Sequence, residues 1–86
     1  MTSLPATRLT VRSFLVHVSP GCLAEVTARV ATWPGCQVHP AENRDVLVVV
    51  VATSDRAEAD GIDAALASTV GVEGVALVSG FTEELS

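Results

Sequence analysis

Four side chains carry the chemistry that metals and redox partners use: His17, Cys22, Cys36 and His39. A metal site needs ligands that converge, and these diverge. Cys36 and His39 lie three apart on a predicted strand, so they face opposite sides of it. Between Cys22 and Cys36 the pattern predicts a helix about 20 Å long at 1.5 Å per residue. A disulfide requires Cα atoms within about 7 Å, so two separate thiols are expected, as suits a reducing compartment. No metal and no cofactor is expected. The sequence has no glycine-rich phosphate loop, no nucleophile elbow and no paired-histidine helix motif. Its serines sit at caps or on strands without an obvious base. The residues point to a binding protein rather than an enzyme.

Charge narrows the partner. Ten carboxylates face five arginines and no lysine, a formal net charge of −5. That balance excludes a nucleic-acid binder, which needs cations against phosphate. Aromatic residues make up 3% of the chain, too few for stacking platforms on single strands. The charge is also uneven. Residues 1–54 hold Arg8, Arg12, Arg29 and Arg44 against Glu25, Glu42 and Asp45, a net of +1. Residues 55–86 hold Arg56 against Asp55, Glu58, Asp60, Asp63, Glu73, Glu83 and Glu84, a net of −6. Such a half either keeps the chain soluble or draws in a basic partner. The longest apolar run, Val46 to Ala52, is far short of the roughly 20 residues that span a bilayer. The N-terminus lacks the basic-then-apolar pattern of a signal peptide. A cytoplasmic protein is expected.

The elements that would position these residues follow from periodicity and punctuation. Residues 1–9 read as a flexible lead-in, 10–82 as one domain and 83–86 as an acidic tail. Thr10 to Val18 is rich in β-branched residues and predicts a strand. Ser19 is placed as N-cap and Pro20 as the first residue of a helix whose stripe is Leu23, Val26, Val30 and Trp33. Pro34-Gly35 ends it. Cys36 to Ala41 predicts a strand at a sheet edge, because Pro40 has no N–H to donate. After a turn at 42–45, Val46 to Thr53 is apolar at consecutive positions, as in a central strand. Ser54 or Asp55 caps a second helix, with Glu58 completing a capping box and a stripe of Ala59, Ile62, Leu66 and Val70. Gly71 to Gly74 turns into a last strand, Val75 to Phe81.

The order is βαββαβ. Two right-handed crossovers joined by a hairpin give an α+β fold, a four-stranded antiparallel sheet ordered 4-1-3-2 with both helices on one face. Nothing in the chain remains to cover the other face. On the first strand that face carries Val11, Ser13, Leu15 and His17, while Phe14, Val16 and Val18 read as core. Left bare, it exposes a patch of the size that marks a contact site. A second copy of the sheet, in a homodimer, would cover it, as would a different partner.

Four segments, Ser13-Phe-Leu-Val-His-Val18, Trp33-Pro-Gly-Cys-Gln-Val38, Val46-Leu-Val-Val-Val-Val51 and Val72-Glu-Gly-Val75, together resemble the NapD family. The resemblance covers residues 12 to about 82. It implies a ferredoxin-like fold and a cytoplasmic assembly chaperone of the periplasmic nitrate reductase. Such a chaperone binds the twin-arginine signal peptide of the molybdenum-containing catalytic subunit and delays export until the cofactor is loaded. It places the peptide over Ser13, Leu15 and His17 of the first strand and Val49 and Val51 of the third. Glu83 and Glu84 then supply carboxylates for the arginines. Relatives usually end the last strand with a Tyr-His pair where this chain has Thr82 and Glu83. A second likeness gives the alternative: Ser19-Pro-Gly-Cys-Leu-Ala-Glu-Val26 resembles the helix start of ACT domains, which implies a small-molecule (amino-acid) binding regulatory domain.

Overall fold

The strand with the strongest apolar bias organises the molecule. Val46–Thr53 (β3) alternates in burial, with Leu47, Val49 and Val51 sealed and Val46, Val48 and Val50 half-buried. Alternation is what a pleated strand must do. Here both sets are apolar, and only one of them has a layer packed on it. The computed structural model describes residues 7–85. In it β3 pairs antiparallel with Thr7–Val18 (β1), whose Phe14, Val16 and Val18 join the same core. Cys36–Pro40 (β2) pairs along the other side of β3, and Val72–Leu85 (β4) along the other side of β1. The sheet order is β2-β3-β1-β4, the predicted order read from the other edge. Two helices, Leu23–Val30 (α1) and Arg56–Ala67 (α2), set Val26, Val30 and Leu66 into that core, so both lie on one face. The proline-bearing strand is at an edge, as expected.

Glycines set the joints around α1. Ser19-Pro20-Gly21-Cys22 and Trp33-Pro34-Gly35-Cys36 are near copies of one turn. In each, the amide of the cysteine donates to the first carbonyl (3.0 and 3.3 Å), and the glycine has a φ of 83° or 73°. Proline second and a left-handed glycine third is the pattern of a type II turn. The first of these turns displaces the predicted cap. Ser19 does not cap α1; the helix starts after Cys22, and the Ser19 hydroxyl instead donates to Glu73 Oε1 at 3.1 Å. The predicted stripe outlasts the helix for the same reason, with Trp33 packing on the core from the second turn.

In α2 the cap is Asp55, whose Oδ1 accepts from the amides of Ala57 (2.9 Å) and Glu58 (3.3 Å). The expected reciprocal bond of Glu58 is absent: the Asp55 amide donates to Thr53 Oγ1 (3.1 Å), and Thr53 Oγ1 donates onward to Glu58 Oε2 (3.4 Å). Val70 leaves the predicted stripe. It is 79% exposed at the tip of a turn closed by the Val72 amide on the Thr69 carbonyl, and Thr69 is buried instead.

The neighbouring strands β1 and β4 run longer than their composition suggests. β1 begins at Thr7 and β4 continues to Leu85, so positions 7–9 and 83–85 form a two-stranded ribbon beyond the last β3 pair, Thr10 with Thr53. The segments read as lead-in and tail are therefore partly strand; residues 1–6 lie outside the described residues. Gly80 sits opposite Arg12, and the arginine stem lies over it, 3.5 Å from where a Cβ would be. Arg12 thereby reaches Asp60 on α2 at 2.6 Å. A partly exposed pair of this kind contributes up to about 1 kcal/mol.

The tightest backbone approach is at Gly35, where a Cβ would lie 2.6 Å from the Ala52 carbonyl oxygen. Ala52 also donates its amide to the Gly35 carbonyl at 2.9 Å. Gly35→Ala adds this clash to the strain of a left-handed alanine, so about 2 kcal/mol of stability should be lost. Thermal unfolding is expected to show a fall in Tm of roughly 10 °C; an unchanged Tm would refute the close approach.

Candidate functional site

Residues directly opposite in antiparallel strands share a face, so the pairing register assigns the bare side of the sheet row by row. Leu15 lies opposite Val48 and Ala76, and His39 continues that row on β2. The next row is Gln37, Val50, Ser13 and Ser79. Beyond it come Ala52, Val11 and Phe81, and at the other end His17 with Val46 and Gly74. The centre is therefore aliphatic. Ser13, Ser79 and Gln37 form a polar line across it, and the two imidazoles stand at one end. His17 and His39 are both exposed, and Phe81 is 57% exposed.

The register corrects one expectation. Val49 and Val51 are not on this face. Opposite Phe14 and Arg12, they turn toward the helices and are 0% and 2% exposed. The residues beside Ser13, Leu15 and His17 are Val46, Val48 and Val50. Five valines and a leucine in succession, Val46 to Val51, gave no clue to parity, since either face of β3 would be equally apolar. Position in the hairpin, rather than residue type, decides it. The face also includes Gln37, His39, Ala76, Ser79 and Phe81, which sequence reasoning missed. Tracing alternation across from β1 would have found them once the register was known.

The acidic half sits elsewhere than expected. Asp55 caps α2, Asp60 holds Arg12, Glu58 accepts from Thr53 and Glu73 from Ser19. Three of those four belong to α2 or its cap, across the sheet from the bare face. Among the described side chains, that face carries no carboxylate. Glu83 and Glu84 fall in β4, their backbones opposite Leu9 and Arg8; their side chains lie outside the described residues.

Both cysteines are free, Cys22 at the start of α1 and Cys36 at the start of β2. Burial against the core, and secondarily the nearby Glu58 carboxylate, push the Cys36 thiol above its usual pKa. That lowers its thiolate fraction and makes it a packing residue. Among the described residues, no three His, Cys, Asp or Glu side chains come together as metal ligands. No helix among them is long and apolar enough to cross a membrane.

Comparison with known proteins bears on what this face is for. The family model for NapD, described as "NapD protein", matches residues 9–84. The chain belongs to the NapD family. Among solved structures it is similar to the solution structure of the E. coli Tat proofreading chaperone protein NapD, with a TM-score of 0.74 and 24% identity. That match covers 83% of this chain and 76% of the other, and at such identity it speaks for the fold. No curated protein matches. The family that matches is NapD rather than the ACT domains, and the Ser19-Pro20-Gly21 segment that suggested the latter is one of two like turns around α1.

The two sides of β3 should respond oppositely to a charge. Val49→Asp buries an unpaired carboxylate and should leave the chain unfolded by circular dichroism, a loss of several kcal/mol. Val48→Asp should keep a cooperative thermal transition. Equal damage from both would contradict the assignment of faces.

Proposed function

We propose that this NapD-family chain is a chaperone that binds a twin-arginine signal peptide on its bare sheet face. In this reading it acts in the cytoplasm on the catalytic subunit of the periplasmic nitrate reductase, holding back export until the molybdenum cofactor is in place. One observation carries the reading beyond family membership: the continuous aliphatic surface of Leu15, Val46, Val48 and Val50 with no layer over it. A twin-arginine leader has two guanidiniums followed by an apolar stretch. The apolar stretch gains from leaving water at about 25 cal/mol per Å² buried, and this surface is where it can do so.

The contacts proposed are Ser13, Leu15 and His17 on β1 with Val48 and Val50 on β3, which replace Val49 and Val51. Phe81 extends the surface on β4. The arginines are met at its margin, since its centre has no negative charge. Glu83 and Glu84 are the carboxylates proposed for that role. No cofactor is needed, because the work is binding alone. Closure by a second copy, as a homodimer, is the competing use of the same surface.

Titration of a fluorescent leader peptide, by anisotropy, separates these uses. Binding of the Arg-Arg peptide, weaker binding of a Lys-Lys control, and a monomer in sedimentation are expected. Leu15→Asn strands an amide in an apolar contact and should weaken binding about tenfold without changing Tm by more than a few degrees. No binding at tens of micromolar, or a stable dimer whose dissociation is required for binding, would defeat the proposal.

A further inference from the structure

One irregularity in β4 decides what the middle of the bare face presents. Leu77 pairs with Phe14, and an unbroken ladder would then set Val78 opposite Ser13 and Gly80 opposite Val11. The register shifts there instead. Val78 is the extra residue, 65% exposed, and from that point Ser79 faces Ser13 and Phe81 faces Val11. A bulge of one residue exchanges the faces of everything beyond it. Valine is thereby kept out of the row that holds Ser13, and serine takes its place. The result is two hydroxyls side by side, since directly opposed residues have Cβ atoms about 4.5–5.5 Å apart. The pair sits between apolar rows, Leu15 with Val48 and Ala76 on one side and Val11 with Ala52 and Phe81 on the other. Rows on one face are two residues apart, about 7 Å. Neither hydroxyl has a hydrogen-bond partner among the described residues. Ser79 is exposed and Ser13 half-buried, so water serves both in the free chain.

We infer that the segment bound on this face carries one hydrogen-bonding side chain, a hydroxyl or a carboxamide, where it crosses Ser13 and Ser79, with apolar side chains on both sides of it. The inference rests on the peptide-binding reading and adds the pattern required within the apolar stretch. The physical reason is an asymmetry. A wholly apolar segment laid over this row takes water from two hydroxyls and returns nothing, so both are desolvated without a new bond. A segment with a hydroxyl or amide at that place restores the bonds, and serine can match either because it both donates and accepts. A site built with hydrogen-bonding groups rejects ligands that lack the partner more strongly than an apolar site rejects an added hydroxyl. Gln37 continues the row on β2, at the sheet's edge, where its amide can stay in water. Ser13 and Ser79 are therefore the specificity residues, while Leu15, Val48 and Val50 supply affinity.

The test uses the full chain and a set of fluorescent synthetic peptides, each an Arg-Arg pair followed by a stretch of leucine and alanine. In one the stretch is uninterrupted; in the others a single serine replaces one residue, at successive positions. Anisotropy should show one serine position bound about tenfold more tightly than the uninterrupted peptide, a difference of about 1.4 kcal/mol, and the other positions no tighter than it. In the double variant Ser13→Ala, Ser79→Ala that preference should vanish, and the uninterrupted peptide should bind at least as tightly as any other. The two hydroxyls hold no bond within the described chain, so the double variant should keep its Tm within a few degrees. Loss of selection is thus separated from loss of fold, and the scan on the unaltered chain stands by itself. Affinity independent of serine position, or the same preference in the double variant, overturns the inference and leaves the binding reading standing. Failure of every peptide to bind either protein overturns both.

Discussion

A central strand that is apolar on both sides, in a sheet with helices on one side only, is the constraint from which the rest follows. Leu47, Val49 and Val51 are matched by Phe14, Val16 and the two helix stripes, and the core closes around them. Val46, Val48 and Val50 meet only their strand neighbours and remain half in water. Fully burying an aliphatic side chain is worth about 1.5–3 kcal/mol, so several kcal/mol are left unrealised on that side. A strand selected only for folding would alternate apolar with polar residues. This one does not, and the surplus is available only to something that docks.

The negative charge has a different explanation from the one its distribution suggests. A net of −6 in residues 55–86 looks like a docking surface for a cation. In the folded chain most of those acids are spoken for: Asp55 satisfies the first amides of α2, Asp60 ties that helix to β1 through Arg12, and Glu58 and Glu73 hold hydroxyls at element ends. Their remaining effect is a general negative field, which raises encounter rates with a cationic peptide without fixing where it binds. In the proposed reading, placement is left to the bare face and its margin. Gly80 connects the two arrangements, because its missing side chain lets Arg12 cross toward Asp60 while the next residue, Phe81, turns to the opposite side.

Element order and sheet order were legible because the chain is punctuated by residues with narrow conformational uses. Pro20-Gly21, Pro34-Gly35 and the turn at Gly71 mark the joints, and Pro40 marks the edge. What was not legible was whatever depends on register. The parity of β3 is invisible when every residue is apolar. The extension of β1 and β4 into a ribbon is invisible when Thr7, Arg8 and Thr82 to Glu84 carry no strand pattern of their own and are held by pairing with one another. The start of α1 was missed for a third reason: Ser19 has the right side chain for a cap, but the type II turn that Pro20 and Gly21 prefer occupies the same four residues. Local preference was read correctly there, and a stronger local preference prevailed.

The division of β3 into two sides also explains how a family with this fold can vary its sequence. The inward set needs only aliphatic side chains of suitable volume, a loose requirement that many sequences meet. The outward set bears little on stability, so it can change with the partner. A relative at 24% identity keeps the architecture at a TM-score of 0.74 under those conditions. Thr82, at the end of β4, pairs with Thr10 on the helix side of the sheet, and position 83 lies on the ribbon beyond β3. In the proposed reading the fold and the recognition surface are thus carried by alternate residues of one strand, and selection can act on either without disturbing its neighbour.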